Sequence, residues 1–549
     1  MKKQIFSFLL VLAMLLTWIP LTVSAADYEA KIGNTMYASL GEALTAAQNG
    51  DVVEVLKACI FAGATLSKNI TVKAADGLEE QPLITLTKSI VPGADAALTF
   101  EGLKLYSTEN VFSFEAGSAG SALTLKNCDV ESNGYYCVFI DVQGITLNIE
   151  GGSYTSNWGC IVCGATMPTT AEERVKIAVN VSGATLTQTA NISGMYAPIS
   201  NGNGKSNLSI RITDSVLNAS DGSGANGACI KIGGNAGTHN ITSDNVLTIQ
   251  NSRLNSEALY GIYVGRTTKT DITIEDSTLN LNSPMPGGAC VKADGASMPV
   301  ENLTLTVKGD NARLNSKSQY CVYFNATKNS AILLEGGKLT VEDTGIANAW
   351  AVSTYKTPAD ARAKVTVSGA EIDTVKTALS LDGNTDFSMT AGKLNEEKST
   401  LSFGGKAQTA KGNPFTEQLY AQLLQGTTTE SAETKVRFAI QLPTAAGYTS
   451  YGYLVSAQNS VLLLALANGG KILTAETETL YSAILANGEA VGTEKEGYGW
   501  LALGIDGIPQ SAFDTEFRIR PYAVAADGTV LLGETHTFTV NGLLSMVSE

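Results

Sequence analysis

The sequence predicts an all-β protein whose larger part is a parallel β-helix, a solenoid of stacked coils, and three observations carry that prediction. An apolar-polar-apolar triplet, followed by an Asn, Asp, Ser or Gly turn and a further aliphatic residue, recurs eleven times, starting at Leu98, Leu123, Ile145, Ile177, Leu208, Leu247, Ile272, Leu303, Ile332, Val365 and Phe387. The starts lie 22 to 39 residues apart, a period that means stacked units rather than separate domains. Each unit alternates at period two without a helical stretch, so its natural form is a set of short strands whose apolar faces stack on the next coil about 4.8 Å away. The composition agrees: 54 glycines and only 16% charged residues, with no low-complexity run, describe a turn-rich folded chain rather than a disordered one.

The chain opens with Lys2 and Lys3, an apolar run from Ile5 to Ile19, Pro20, and the small-residue pattern Val23-Ser24-Ala25. This is the pattern of a signal peptide spanning residues 1–25, and it predicts a secreted, extracellular protein with no membrane insertion after cleavage. Removing it takes away two lysines and no acid, moving the formal charge from −15 to −17. An acidic surface repels phosphate backbones, so nucleic acid is not an expected partner.

Residues 26–57 read as a cap on the solenoid, which occupies 26–411. Ser39-Leu40-Gly41-Glu42 has capping-box spacing, and Leu40, Ala43, Leu44 and Ala47 fall on one face of a short helix. Such a cover is needed because the end of a stack exposes apolar surface and strand edges. The turns after the triplets place Asn127, Asp214, Asn251 and Asp276 in one register, followed by Cys128, Ser215, Ser252 and Ser277. Asn and Asp suit such turns because they tolerate unusual dihedrals and bond nearby backbone.

The second strand of each coil aligns as Tyr136–Asp141, Ala228–Gly233, Tyr260–Gly265, Ala289–Asp294 and Tyr320–Asn325. Its third residue is always aliphatic and should point inward; strict alternation then sends the second, fourth and sixth outward. Five of the eight cysteines, Cys137, Cys160, Cys229, Cys290 and Cys321, share the second position, filled elsewhere by Pro198, Gly261, Ala351 and Ala378. The row is a ladder of small side chains, exterior under strict alternation and interior if the strand bends; either way mostly free thiols are expected.

Together, Tyr28, the small N-cap residue, Glu42-Ala43 and Gly50-Asp51 before a β run resemble the start of pectate-lyase-like proteins of the secreted bacterial kind. The resemblance spans roughly residues 28–410 and implies a right-handed, single-stranded parallel β-helix. Beyond Lys411 the period stops. Phe415, Leu419, Leu423 and Leu424 suggest a helical linker or lower cap over 412–425, and the alternating strands of 426–549 fit a small β-sandwich. The Arg437-Phe438 strand, Tyr451-Gly452-Tyr453 and Arg520-Pro521-Tyr522 resemble a C-terminal module of extracellular Firmicutes proteins.

Chemistry is sparse. The two histidines, His239 and His536, fall in different domains, so neither a zinc motif nor a Ser-His-Asp site can be assembled, and no metal or cofactor is expected. Cys160 and Cys163 form a Cys-x-x-Cys, but three residues apart on a strand they should face opposite ways. Gly222–Gly227 matches a dinucleotide fingerprint in letters only, since a strand follows it, and Asn203–Ser206 lacks the first glycine of a phosphate loop. The pectate-lyase-like fold hosts polysaccharide lyases and glycosidases. The Asn-Thr-Asp, paired-aspartate and Gly-His-Gly stretches of the hydrolases are missing, and Asp294 beside Lys292 is a poor calcium cage, so no catalytic residue is assigned. What remains is an outward row, Lys231, Tyr263, Lys292 and Tyr323, with Arg266 and Asp294 beside it. Sugar rings stack on exposed aromatics and cations meet uronate carboxylates, while a merely solvated face is the bland reading. The function expected is a non-catalytic secreted interaction or adhesion module binding an acidic polysaccharide or cell-surface glycan. The alternatives are a polysaccharide lyase and a spacer presenting the C-terminal module.

Overall fold

The computed structural model describes residues 28–547 apart from internal segments, the longest being 165–174, 190–196, 202–206, 221–226, 234–243, 424–434 and 458–479. The signal-peptide residues, His239, Asn203–Ser206 and Gly222–Asn226 lie outside the described residues.

The described chain is a parallel β-solenoid. One ladder of inward side chains runs in register through Leu98, Leu123, Leu147, Val179, Ile210, Leu247, Ile272, Leu305, Ile332 and Val365, and the backbone register continues to Phe387. The triplets that start at Ile145, Ile177, Leu208 and Leu303 are offset from this ladder by two residues, which leaves every side chain on its predicted face because the period is two. Val52–Val55 and Ile70–Ala74 add parallel strands before the first triplet. The aliphatic residue after each turn lies in a short strand of its own, as in Leu208–Thr213, Val216–Ala219 and Ala228–Ile232. Each full coil therefore has three strands, and the strand counted second in the sequence is the third.

Between the first two strands, Asn127, Asp214, Asn251 and Asp276 all take left-handed dihedrals, with φ of 45–50°. The serines that follow are buried and chained from coil to coil: the Ser215 amide donates to Ser252 Oγ at 3.1 Å, and the Ser252 amide to Ser277 Oγ at 3.0 Å. Each hydroxyl in turn donates to the carbonyl two residues back, so turns that would otherwise bury unpaired amides are satisfied.

The third strand bends. Pairing runs Tyr136 to Gly159 and then Val138 to Ile161, passing over the cysteine, and the same position is passed over between Ala228–Ile232 and Tyr260–Val264. Two consecutive residues consequently face the core, and the cysteine row is interior, not exterior as strict alternation requires. Thiols fit because they are small and weakly polar: Cys229 Sγ lies 3.2 Å from the Asn255 carbonyl and Cys321 Sγ 3.3 Å from that of Thr340. At Gly261 the row has no room for more, since a Cβ there would stand 2.6 Å from the Cys290 carbonyl oxygen. Cys160 and Cys163 also share the core rather than facing opposite ways, a second consequence of the bend.

All eight cysteines are free and buried. Burial pushes Cys59, Cys128, Cys137, Cys163, Cys229 and Cys321 up, Cys229 and Cys163 to about 12, and because the thiolate is the reactive form these six are inert in the fold, while burial itself shields the other two. Titration with a thiol reagent should find essentially none reactive in the native protein and all eight after denaturation; recovery of four disulfides would show that the row oxidises on folding.

At the N-terminus, helix α1 (Leu40–Ala46) begins as predicted, with Ser39 Oγ accepting from the Glu42 amide at 3.2 Å and Leu40, Ala43 and Leu44 buried. The strands Ala30–Ile32 and Thr35–Tyr37 form a hairpin paired antiparallel with Val52–Val55, so the first strand of the solenoid meets a strand of opposite direction rather than an open edge.

At the other end, Lys406–Thr409 folds back on Thr400–Phe403 and pairs with Val530–Leu532, joining the C-terminal region to the third sheet of the solenoid. Lys435–Pro443 pairs antiparallel with Tyr498–Asp506, and Ser450–Ala457 with Phe517–Val524. The two pairs share a core of Phe438, Tyr453, Leu501, Ile519 and others, crossed by a hydrogen bond from the Tyr453 hydroxyl to the Leu501 carbonyl at 2.6 Å. Tyr420–Leu423 is a strand against Lys435–Pro443 where the sequence predicted helix; the apolar residues of that stretch satisfy both periods, and edge pairing decides. The helix of this region, α2 (Val540–Val547), closes the same core with Val540 and Leu543.

Candidate functional site

Because the bend turns the second position inward, the outer face of the third sheet is built from the first, fourth and sixth positions. The fourth-position row runs Lys231, Tyr263, Lys292, Tyr323 and Ser353 in unbroken register. Beside it runs the first-position row Ala228, Tyr260, Ala289, Tyr320 and Trp350. Coils thus alternate between an alanine with a lysine and a tyrosine with a tyrosine. The small residues leave space that the rings fill: Ala228, Tyr260, Ala289 and Tyr320 form a buried cluster with Tyr263, Tyr323 and Trp350 packed against it. Within a coil the rings meet at 5.3 Å between centroids for Tyr260 and Tyr263, and at 4.3 Å, nearly parallel, for Tyr320 and Tyr323. Such pairs add about 0.5–1.5 kcal/mol beyond the area they bury.

The tyrosines leave little of the lysines in solvent. Lys231 is fully buried, its ammonium 5.5 Å from the Tyr263 ring centroid and without a hydrogen-bond partner. Lys292 is 6% exposed, its Nζ 3.7 Å from the Tyr323 centroid and 3.8 Å from Asp294 Oδ2. Burial lowers both amines to about 8; for Lys292 the Asp294 carboxylate opposes that shift without overcoming it. The expectation of an exposed cation row is therefore corrected. The face assignment of these residues holds, but alternating tyrosines fold over the lysine stems.

Tyr263 and Tyr323 themselves stay half-buried, with an edge in solvent, and Asp294 is likewise half-buried, accepting from Asn325 Nδ2 at 3.0 Å. Arg266 lies beyond the end of its strand in a left-handed turn (φ 40°). Toward the N-terminus the same sheet carries a second aromatic group, in which Tyr135 meets Trp158 at 5.0 Å and Tyr136 stacks on Phe139 at 5.5 Å. Tyr260, Tyr320 and Trp350 escape the sequence reading because strict alternation gave the first position no role, while Asn325, a sixth-position residue it sent outward, was not singled out. The Ala-Tyr-Ala-Tyr sequence of that position was nonetheless visible in the aligned copies.

Among the described residues no group of three or more His, Cys, Asp or Glu side chains could hold a metal ion. No family model, curated protein or solved structure matches the chain. The reading of this face therefore rests on its geometry alone: half-buried rings, Tyr263 and Tyr323, on alternate coils beside buried amines.

Proposed function

We propose that the protein is a secreted, non-catalytic interaction module whose third-sheet face binds a glycan chain by aromatic stacking, with a C-terminal β-sandwich attached to a right-handed β-helix. The observation that carries this reading is the in-register spacing of Tyr263 and Tyr323, two coils or about 9.6 Å apart, with their solvent edges on one face. Rings braced by neighbouring tyrosines and by an ammonium lose little freedom on binding, which favours recognition of flat sugar faces. With the lysines mostly covered, stacking supplies the affinity. Acidic sugars would gain only the residual field of the amines, which screening weakens at high salt.

Titration against an array of neutral and acidic polysaccharides should yield a ligand whose affinity falls several-fold in Tyr263→Ala and in Tyr323→Ala, each substitution costing less than the ~3–5 kcal/mol of a fully buried aromatic. An array with no ligand for the wild type would overturn the proposal.

A lyase remains the rival from another class because an amine lowered to about 8 is matched to proton abstraction near neutral pH. Growth of unsaturated-uronate absorbance on incubation with acidic polysaccharides would decide for it. Failure of both tests would leave the spacer, in which the solenoid only holds the C-terminal region.

A further inference from the structure

Beyond glycan binding, the third-sheet face holds an amine, a carboxylate and a carboxamide in one cluster. Asp294 and Asn325 are in-register neighbours on adjacent coils, and Asn325 Nδ2 donates to Asp294 Oδ1 at 3.0 Å. The other carboxylate oxygen of Asp294 stands 3.8 Å from Lys292 Nζ. The lysine starts two residues before Asp294 on the same face, and its amine has crossed to the next coil, where it lies 3.7 Å from the ring centroid of Tyr323, two residues before Asn325. One carboxylate thus bridges the amine and the side-chain amide. The reacting amine and the carboxamide oxygen are shielded from water, since Lys292 is buried and Asn325 Oδ1 is buried with no donor, while Asp294 keeps an edge in solvent.

We propose that Lys292 and Asn325 condense into an intramolecular amide that ties adjacent coils together, with Asp294 carrying the proton. The neutral Lys292 amine attacks Cγ of Asn325, forming the Nζ–Cγ bond. Asp294 takes a proton from the attacking nitrogen and delivers it to Nδ2, the Cγ–Nδ2 bond breaks, and ammonia leaves. Nothing is oxidised or reduced, and the protein loses one ammonia. Burial, which disfavours the ammonium form, keeps part of the amine neutral near neutral pH and so able to attack. Holding both partners against one carboxylate supplies the orientation that makes an amide, otherwise a poor electrophile, reachable.

Peptide mapping of the purified full-length protein tests this directly. The expected result is a branched peptide joining the Lys292 and Asn325 segments, one ammonia lighter than their sum, accompanied by the same mass deficit in the intact protein. The deficit and the branched peptide should vanish in Lys292→Arg and in Asn325→Ala, and fall to background in Asp294→Ala. Because the wild type alone gives the primary readout, a variant that misfolds does not obscure the answer. A wild-type protein of full mass, or an ammonia loss with the Lys292 and Asn325 peptides recovered unlinked, overturns the proposal. Neither outcome depends on whether a glycan binds at Tyr263 and Tyr323.

Discussion

Replacing Phe112 by Ala will lower the stability of the solenoid by about 3–5 kcal/mol, the range for deleting a large aromatic side chain from a close-packed core. Phe112 is fully buried at the start of the third sheet, where its ring meets that of Phe100 from the first strand of its coil edge-to-face, with centroids 5.1 Å apart. The pair spans the interior and fixes the distance between two walls, so the cavity cannot be closed by a small shift of one strand. Phe139 provides the internal control. It occupies the next rung of the same sheet, pairing with Ser113, but sits half-buried on the outer face. Phe139→Ala should cost clearly less, because its ring already has one side in solvent in the folded protein. Urea unfolding followed by circular dichroism measures both midpoints. Equal losses would mean that the inner and outer faces of the third sheet have been exchanged.

That control depends on a feature the sequence left open. Alternation at period two placed the described first-strand residues from Leu98 to Val367 correctly, because those strands are regular and a two-residue slip is silent. The third strand is where alternation failed, since the bend at the cysteine puts two neighbours inward and makes the first position, not the second, an outer one. No single residue announces that bend. It follows from the need to turn the chain around a small core, and its only trace in the sequence is the uniform smallness of Cys, Gly, Ala and Pro at one register. The capping helix was legible because Ser39 and Glu42 act locally. The strand at Tyr420–Leu423 was not, because its partner, Lys435–Pro443, is supplied by a later segment. For the candidate site, the sequence placed Lys231, Tyr263, Lys292 and Tyr323 in one row but not their exposure. Burial depends on how Tyr260 and Tyr320 lie across the alanines of neighbouring coils, a packing outcome spread over residues some 30 positions apart.

Buried Lys231 should make stability depend on pH in an unusual direction. Lys231 has no hydrogen-bond partner, and burial alone lowers its amine from 10.5 to about 8. Below pH 8 both the folded and the unfolded chain carry the proton, and the folded state bears the full cost of a buried, unpaired charge. Between pH 8 and 10.5 the folded amine releases its proton while the unfolded one retains it, so the unfolded state binds more protons and stability rises with pH. Above 10.5 both are neutral and the gain is complete. Lys231→Met removes the group while keeping an unbranched chain of similar volume against Tyr263. It should therefore stabilise the protein by about 1–3 kcal/mol at pH 7, as expected when a buried charge is replaced by an apolar side chain. The advantage over wild type should shrink steadily from pH 8 to 10.5. Thermal melts of the wild type and Lys231→Met across pH 6–10 give the comparison. A Lys231→Met protein that is less stable than wild type at pH 7 would mean that the ammonium earns its place through the Tyr263 ring. In that case the row would be a structural cation–π ladder, and its lysines would be held charged in the fold.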